Sequence, residues 1–126
     1  MQNLHPGDKK YLHEVSVALS LLENIESEAR EQAIERVAAV RVRLGTLSGI
    51  ARDALLFSWD VVTADTICQG SRLEIEEVPL AIFCRHCAAE REPHPGYGVL
   101  CPACGSVSSQ IVRGREMELV AMEVPA

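Results

Sequence analysis

The sequence predicts a small α/β domain, of the α+β type, in which a small sheet and two helices carry an inserted four-cysteine finger. Two segments repeat apolar residues at steps of three and four, which indicates helices with one buried face. Two others alternate apolar and polar residues as half-buried strands do. Two Cys-x-x-Cys motifs, thirteen residues apart, are typical of a metal-binding finger. A chain of 126 residues, 48% hydrophobic, can form one domain with a core and a small appended module.

The first predicted element is an amphipathic helix that starts near Leu12. Residues 1–11 are polar and lack periodicity, so we expect a disordered N-terminal arm there. From Leu12 onward one apolar stripe recurs at helical spacing and is expected to be core. Its residues are Val15, Ala18, Leu22, Ile25 and Ala29.

A half-buried strand is predicted towards the end of residues 35–44. Val40, Val42 and Leu44 lie on one face, and the arginines between them lie on the other. Residues 45–49 contain two glycines and end the strand. Their spacing does not suit a nucleotide-binding loop, so we expect a simple turn.

A second helix and two further strands complete the predicted α/β domain. The helix is expected over residues 53–66, and a strand over 72–78 that Pro79 ends. A strand, a helix and another strand in this order predict a right-handed crossover and a parallel pair of strands. Residues 116–124 are rich in Met, Leu and Val, and should return to the same sheet because they would otherwise be exposed.

The two Cys-x-x-Cys motifs predict a closed Zn²⁺ site. Two residues between paired cysteines let both sulfurs turn inward, and two facing knuckles arrange four thiolates tetrahedrally. We therefore expect a zinc-binding finger over residues 81–107, inserted into an α/β domain made of residues 12–80 and 108–126. The predicted ligands are Cys84, Cys87, Cys101 and Cys104.

Other uses of these cysteines are less consistent with the sequence. Two disulfides would leave Cys68 over, and no secretory signal precedes the motifs. A thioredoxin-like redox pair needs one such motif at the start of a helix. A rubredoxin-type iron site uses similar knuckles, but the chain has few aromatic residues to enclose a redox iron. Cys68 itself is expected to be an ordinary buried thiol.

Net charge limits the classes of partner. The formal charge is −6 and the pI about 5.2, whereas nucleic-acid-binding ribbons carry a basic face, so nucleic acid is disfavoured. No apolar run reaches the length of a membrane span, and no signal peptide is visible. Thiols with metal-type spacing indicate a reducing cytoplasm.

Few other residues suggest chemistry. The sequence contains no Gly-rich phosphate loop, no G-x-S-x-G elbow and no His-Glu-x-x-His helix. His86 and His94 lie in the finger and are expected to face solvent. His13 and Glu14 open the first helix, either as a surface pair or as metal ligands.

Several segments occur in an order that resembles one family. They are Leu12-His13-Glu14-Val15-Ser16, Val40-Arg-Val-Arg-Leu-Gly45-Thr-Leu-Ser48, Leu73-Glu-Ile-Glu-Glu-Val-Pro79, the two cysteine knuckles, and Gly114-Arg-Glu-Met-Glu-Leu119. Together they are similar to the HypA/HybF family, nickel-insertion accessory proteins of NiFe-hydrogenase maturation. The resemblance runs from Leu12 to about Val124.

This resemblance implies a cytoplasmic nickel metallochaperone that is not an enzyme, with structural Zn²⁺ at the four cysteines and Ni²⁺ as transferred cargo. Nickel is expected at His13 and Glu14, through the imidazole, nearby backbone nitrogens and the N-terminal amine of a Met-His-Glu start. Leu12 is therefore expected to be the true start, read as methionine. The implied partners are the nickel-handling GTPase HypB, the hydrogenase large subunit and, for related members, urease maturation proteins.

Two other classes of function remain open at this point. A zinc-ribbon module that binds protein or nucleic acid would share the double knuckle, and salt-dependent binding to DNA or RNA would reveal it. A rubredoxin-like electron carrier would show a red iron–thiolate absorption band.

Overall fold

The computed structural model describes the backbone of residues 6–126 and the side chains of residues 13–126. Two helices and six strands occur in this part of the chain, and they confirm the α+β class. In chain order they are α1 (Pro6–Glu31), β1 (Ala39–Gly45), α2 (Arg52–Val62), β2 (Arg72–Val78), β3 (Ala81–Cys84), β4 (Ala89–Arg91), β5 (Ile111–Arg113) and β6 (Met117–Glu123). Neither described helix combines the length and the apolar composition that a membrane crossing requires.

Helix α1 starts earlier than expected. It begins at Pro6, so the expected disordered arm over residues 1–11 is wrong for residues 6–11. Proline fits the first helical position because its fixed φ suits the helix and its missing N–H would be unpaired there anyway. Residues 1–5 lie outside the described part.

The apolar stripe of α1 packs against α2, as the spacing predicts. Ala18, Leu22, Ile25 and Ala29 are buried. Val15 is half-buried. Together these side chains form the helical side of the core.

Helix α2 ends at Val62, short of the predicted residue 66, and just beyond it Asp65 has φ 63°, a left-handed conformation that does not continue a right-handed helix. The Thr63 amide and hydroxyl both donate to the Trp59 carbonyl oxygen, at 3.0 and 2.7 Å. The Trp59 indole is 1% exposed, and its Nε1–H donates to Ser71 Oγ at 2.9 Å. This bond ties α2 to the residue before β2.

Strands β1 and β2 are parallel, as the strand–helix–strand order predicts. Their sheet has the order β2-β1-β6. At one end the Arg72 amide donates to the Ala38 carbonyl, and at the other the Thr46 amide donates to the Val78 carbonyl, at 3.0 and 3.1 Å. Low residue numbers therefore pair with low ones, which identifies a parallel pair.

Strand β6 lies on the other side of β1 and runs antiparallel to it. The Ala38 amide donates to the Glu123 carbonyl and the Gly45 amide to the Glu116 carbonyl, at 2.7 and 2.8 Å. Gly45 lies so close to the segment before β6 that an added Cβ would be 2.1 Å from the Gly114 oxygen. Glycine is therefore required at this end of β1 for steric reasons.

A second sheet, of order β4-β3-β5, was not predicted. It is antiparallel, and Ile82 of β3 pairs with Arg91 on one side and with Ile111 on the other. Strands β4 and β5 have three residues each, too few to show a periodic pattern. This sheet forms the base of the cysteine finger.

The chain divides into two compact units. Unit 1 contains the described residues up to Val42, together with Ile50–Glu76 and Leu119–Ala126. Unit 2 contains Arg43–Gly49 and Glu77–Glu118. Unit 2 thus extends beyond the 81–107 finger that the sequence predicts, because it includes the second sheet and the turn after β1.

Candidate metal centre

Two tight turns of unit 2 present the four cysteines. Cys84 ends β3 and pairs with Ala89 across the β3–β4 hairpin, so Cys87 lies in the hairpin turn. In the second knuckle the Cys101 amide donates to the Ser106 carbonyl at 2.8 Å. Gly105 has φ 78°, a conformation that glycine adopts without a Cβ clash, and its amide returns to the Cys101 carbonyl.

The four sulfurs cluster at separations close to those of a tetrahedral zinc site. All four Sγ atoms lie within 4.8 Å of one another. The Cys84–Cys104 and Cys87–Cys101 sulfurs are 3.6 and 3.9 Å apart. Sulfurs about 2.3 Å from a central Zn²⁺ would lie about 3.8 Å apart, so the donor set fits this ion. All five cysteines are free, which does not support the disulfide alternative.

Hydrogen bonds around the thiols favour the thiolate at two positions. The Ser106 hydroxyl, followed by the Ser106 backbone, lowers the pKa of Cys104 to about 6. Burial acts to raise the pKa of Cys101, but backbone hydrogen bonds from Cys104 and its neighbour outweigh it, and that pKa is lowered. A hydrogen bond with Cys104, followed by burial, raises the pKa of Cys87 to about 11.

The thiols also affect the pKa of an arginine that the sequence does not single out. Hydrogen bonding to Cys87 is the largest cause that raises the pKa of the Arg91 guanidinium, and Cys101 contributes to the same effect. Arg91 stands four residues after Cys87 and ends β4, where it pairs with Ile82 of β3. A single arginine among several charged residues gives no signal of this in the sequence.

The finger histidines do not join the cluster. His86 and His94 are exposed, as expected. The His94 ring makes an edge contact with Tyr97, with ring centroids 6.2 Å apart. Among the described histidines, cysteines and acidic residues, the metal-sized group consists of the four cysteines.

The predicted nickel ligands lie in unit 1, side by side on α1. The His13 side chain is 55% exposed, whereas that of Glu14 is fully buried, and His13 Nδ1 is 3.7 Å from Glu14 Oε1. Glu14 Oε1 also accepts from the Ala51 amide at 3.4 Å. Glu14 Oε2 is buried with no hydrogen-bond partner in the described chain. The stripe of apolar residues did not reveal that this carboxylate enters the core.

Helix α1 continues on the N-terminal side of His13. Because the helix begins at Pro6, His13 lies beyond the first four positions, whose amides are free of helical hydrogen bonds. The backbone nitrogens at Leu12, His13 and Glu14 are therefore helical donors in this conformation.

Two other features of the sequence, the turn at residues 45–49 and Cys68, do not form a binding or catalytic site in the described chain. Residues 45–49 form a turn closed by the Ser48 amide and the Gly45 carbonyl, as expected. Cys68 is fully buried, and burial, together with the charge of Glu26, raises the pKa of its thiol to about 11. A protonated, enclosed thiol is unreactive.

Comparisons with known proteins agree with this arrangement. Residues 12–124 match the family described as hydrogenase/urease nickel incorporation, metallochaperone, HypA. A hydrogenase maturation factor HypA from Roseiflexus sp. (strain RS-1) is 49% identical over 113 residues, which cover 89% of this chain and 91% of that protein. One from Chloroflexus aurantiacus (strain ATCC 29366 / DSM 635 / J-10-fl) is 40% identical over 114 residues, which cover 90% of this chain and 100% of that protein.

The fold is also that of a solved structure. The solution structure of the Ni metallochaperone HypA from Helicobacter pylori has a TM-score of 0.64 at 24% identity, covering 90% of this chain and 97% of that one. The family match spans most of the chain, and the relatives align over nearly their whole length. The chain therefore belongs to the HypA/HybF family of hydrogenase maturation nickel metallochaperones.

Proposed function

We propose that this chain binds Ni²⁺ as cargo and helps to insert it into NiFe hydrogenase during maturation, while a separate Zn²⁺ supports unit 2. The observation that carries the nickel assignment is the exposed His13 imidazole held beside the buried Glu14 carboxylate, at the first residues of the family match. The zinc assignment is supported by the sulfur cluster of Cys84, Cys87, Cys101 and Cys104.

The zinc site is structural in this proposal. Four protein sulfurs complete a tetrahedron and leave no open position for a substrate or an activated water. Such a site provides folding free energy rather than catalysis. A tetrahedral sulfur site can also hold iron, so the colour of the purified protein separates the two metals.

The nickel site uses His13 as the donor and Glu14 as the residue that orients it. Imidazole nitrogen suits Ni²⁺, and an exposed ring can both receive and release the ion. His13 Nδ1 lies 3.7 Å from Glu14 Oε1, and Nε2 is the ring nitrogen that this proposal assigns to the metal. Glu14 is fully buried, so it acts on nickel through the ring in this conformation.

Delivery follows from an incomplete set of protein ligands. Ni²⁺ held by few protein donors keeps positions for water or for a partner's donors, so transfer is an exchange of ligands and needs no catalytic acid or base.

The proposed partners are the GTPase HypB and the hydrogenase large subunit, with urease maturation proteins as a second client. The net charge of −6 favours partners with basic surfaces. The proposed thiolate ligands support a location in the reducing cytoplasm.

Metal analysis and nickel titration test the proposal. The full chain should contain one zinc per molecule and be colourless. His13→Ala should abolish nickel binding, and Glu14→Gln should weaken it about tenfold, the loss typical of a residue that orients a metal-bound histidine. His94→Ala is the matched control, because it removes an exposed histidine of the finger and leaves His13 unchanged. A version that begins at residue 12 as Met-His-Glu measures how much a free amine adds.

Each outcome has a consequence. Nickel binding that survives His13→Ala would refute the assignment of His13. Equal nickel affinity in Glu14→Gln and the unaltered chain would remove Glu14 from the site. One zinc in every version with no nickel in any would favour an interaction module instead.

A further inference from the structure

Helix α2 carries apolar side chains on its outer face as well as on the face that packs into the core. On the inner face Leu55 is 0% exposed and Trp59 is 1% exposed. On the opposite face Phe57 is 69% exposed and Val61 is 57% exposed, and residues four apart lie one turn apart on the same side of a helix. A helix with apolar residues on more than one face is typical of one that is covered on both sides.

Acidic side chains flank these two apolar residues. Asp53 lies one turn before Phe57, and its side chain is 97% exposed. Asp60 lies beside Val61 and is also exposed. We call the four residues Asp53, Phe57, Asp60 and Val61 the α2 docking face.

The composition of the α2 docking face limits what can cover it. An apolar centre with a polar or charged rim is the usual composition of a protein interface. Because both charges of this rim are negative, a second copy of the same face would be repelled. A partner that surrounds an apolar pocket with basic side chains would be attracted.

The α2 docking face adjoins the proposed nickel site within unit 1. The amide of Ala51, the residue before α2, donates to Glu14 Oε1 at 3.4 Å. Phe57 lies about 9 Å further along the helix axis. A standard interface covers about 800 Å² on each partner, which corresponds to a patch about 16 Å in radius. A partner centred on Phe57 therefore reaches the end of α2 that holds Glu14, the neighbour of His13.

We propose that the α2 docking face binds the protein that accepts the nickel, through an apolar pocket of this acceptor that lysine or arginine side chains surround. The acceptor is the hydrogenase large subunit in the proposed function, on which this inference rests. Docking on α2 brings the acceptor beside His13, so the ligand exchange that transfers Ni²⁺ takes place within one complex.

The test measures binding of the purified large subunit to the full-length chain by biolayer interferometry, at low and at high salt. Phe57→Ala removes the apolar centre and keeps a good helix former. Asp60→Asn removes one charge of the rim. Tyr97→Ala is the matched control, because Tyr97 is a 63% exposed aromatic residue of unit 2. Trp59 fluorescence and a nickel titration of each variant report on the fold and on the cargo site.

We expect Phe57→Ala to weaken binding of the large subunit at least about tenfold, the loss typical of a central interface residue. Its nickel affinity should equal that of the unaltered chain. Asp60→Asn should slow association at low salt and change the equilibrium affinity less than about threefold, because rim charges act mainly on the association rate. Tyr97→Ala should bind like the unaltered chain.

The two measurements separate the possible failures. If the unaltered chain binds no nickel, the proposed function fails. If it binds nickel but not the large subunit, or if Phe57→Ala binds the subunit as tightly as Tyr97→Ala does, the α2 docking face is refuted.

Other occupants give other results. If Phe57→Ala loses binding to the GTPase HypB alone, or dissociates a dimer of the unaltered chain in sedimentation, the assigned acceptor is wrong. Should Phe57→Ala not fold, Val61→Lys decides, since a positive charge on this face repels a basic partner. An unchanged affinity of Val61→Lys for the large subunit would then overturn the proposal.

Discussion

Removing zinc should unfold unit 2 and leave unit 1 folded. The two units differ in how much apolar surface they bury. Within the described chain, unit 1 contains most of the buried apolar side chains, including Leu22, Ile25, Leu55 and Trp59. Unit 2 buries few large apolar side chains and contains the cluster of four cysteine sulfurs.

The expected size of the effect follows from that difference. Leu44 and Ile82 are the large aliphatic side chains that are buried in the described unit 2. Burying each contributes about 1.5–3 kcal/mol. Fixing the backbone of one residue costs about 1–2 kcal/mol, so the two side chains offset the ordering of only a few residues. Zinc binding by thiolates contributes about 10–16 kcal/mol in zinc-finger peptides, so we expect the metal to stabilise unit 2 more than its apolar side chains do.

Hydrogen exchange with and without a strong chelator measures this effect in the full chain. The Phe83 amide, which donates to the Gln110 carbonyl at 2.9 Å, should lose its protection when zinc is removed. Trp59 is the single tryptophan and lies in unit 1, so its fluorescence should stay unchanged. Protection of Phe83 that persists without metal would refute the reasoning, and so would a simultaneous loss of the Trp59 signal.

Two further predictions concern individual residues. The pKa of Cys68 is raised from 9.0 to about 11, so the folded form holds this proton more tightly than the unfolded one. The resulting stabilisation of the folded state should be complete below pH 9 and disappear towards pH 11. Cys68→Ala should remove this pH dependence of the unfolding free energy in urea titrations. Gly45→Ala would place a Cβ 2.1 Å from the Gly114 oxygen and disturb two hydrogen bonds there, so we expect a loss of at least about 2 kcal/mol. The control Gly49→Ala meets no atom within 4 Å but has φ 76°, and it should cost only about 1 kcal/mol; a larger loss at Gly49 in thermal denaturation would contradict the steric argument.

The local sequence pattern was sufficient to predict the long elements and the cysteine group, whose chemistry depends on residue spacing. The period of α1 identified its buried face, and the alternation over residues 72–78 predicted β2 with the bounds that the structure has. The end of α2 was predicted too late because Asp65 adopts a left-handed conformation, with φ 63°, which apolar periodicity does not report. The start of α1 was predicted too late because a polar segment can extend a helix that the following residues already stabilise.

The sequence alone determined the family, the class of fold and the group of four cysteines, since knuckle geometry depends on a spacing of two residues within each turn. Only the tertiary structure decided how the side chains around the sites are placed. It buries Glu14 beside the exposed His13, and it brings the Ala51 amide to the Glu14 carboxylate. Both placements arise from packing between segments that are separate in the chain, and a charged residue read in isolation is expected at the surface.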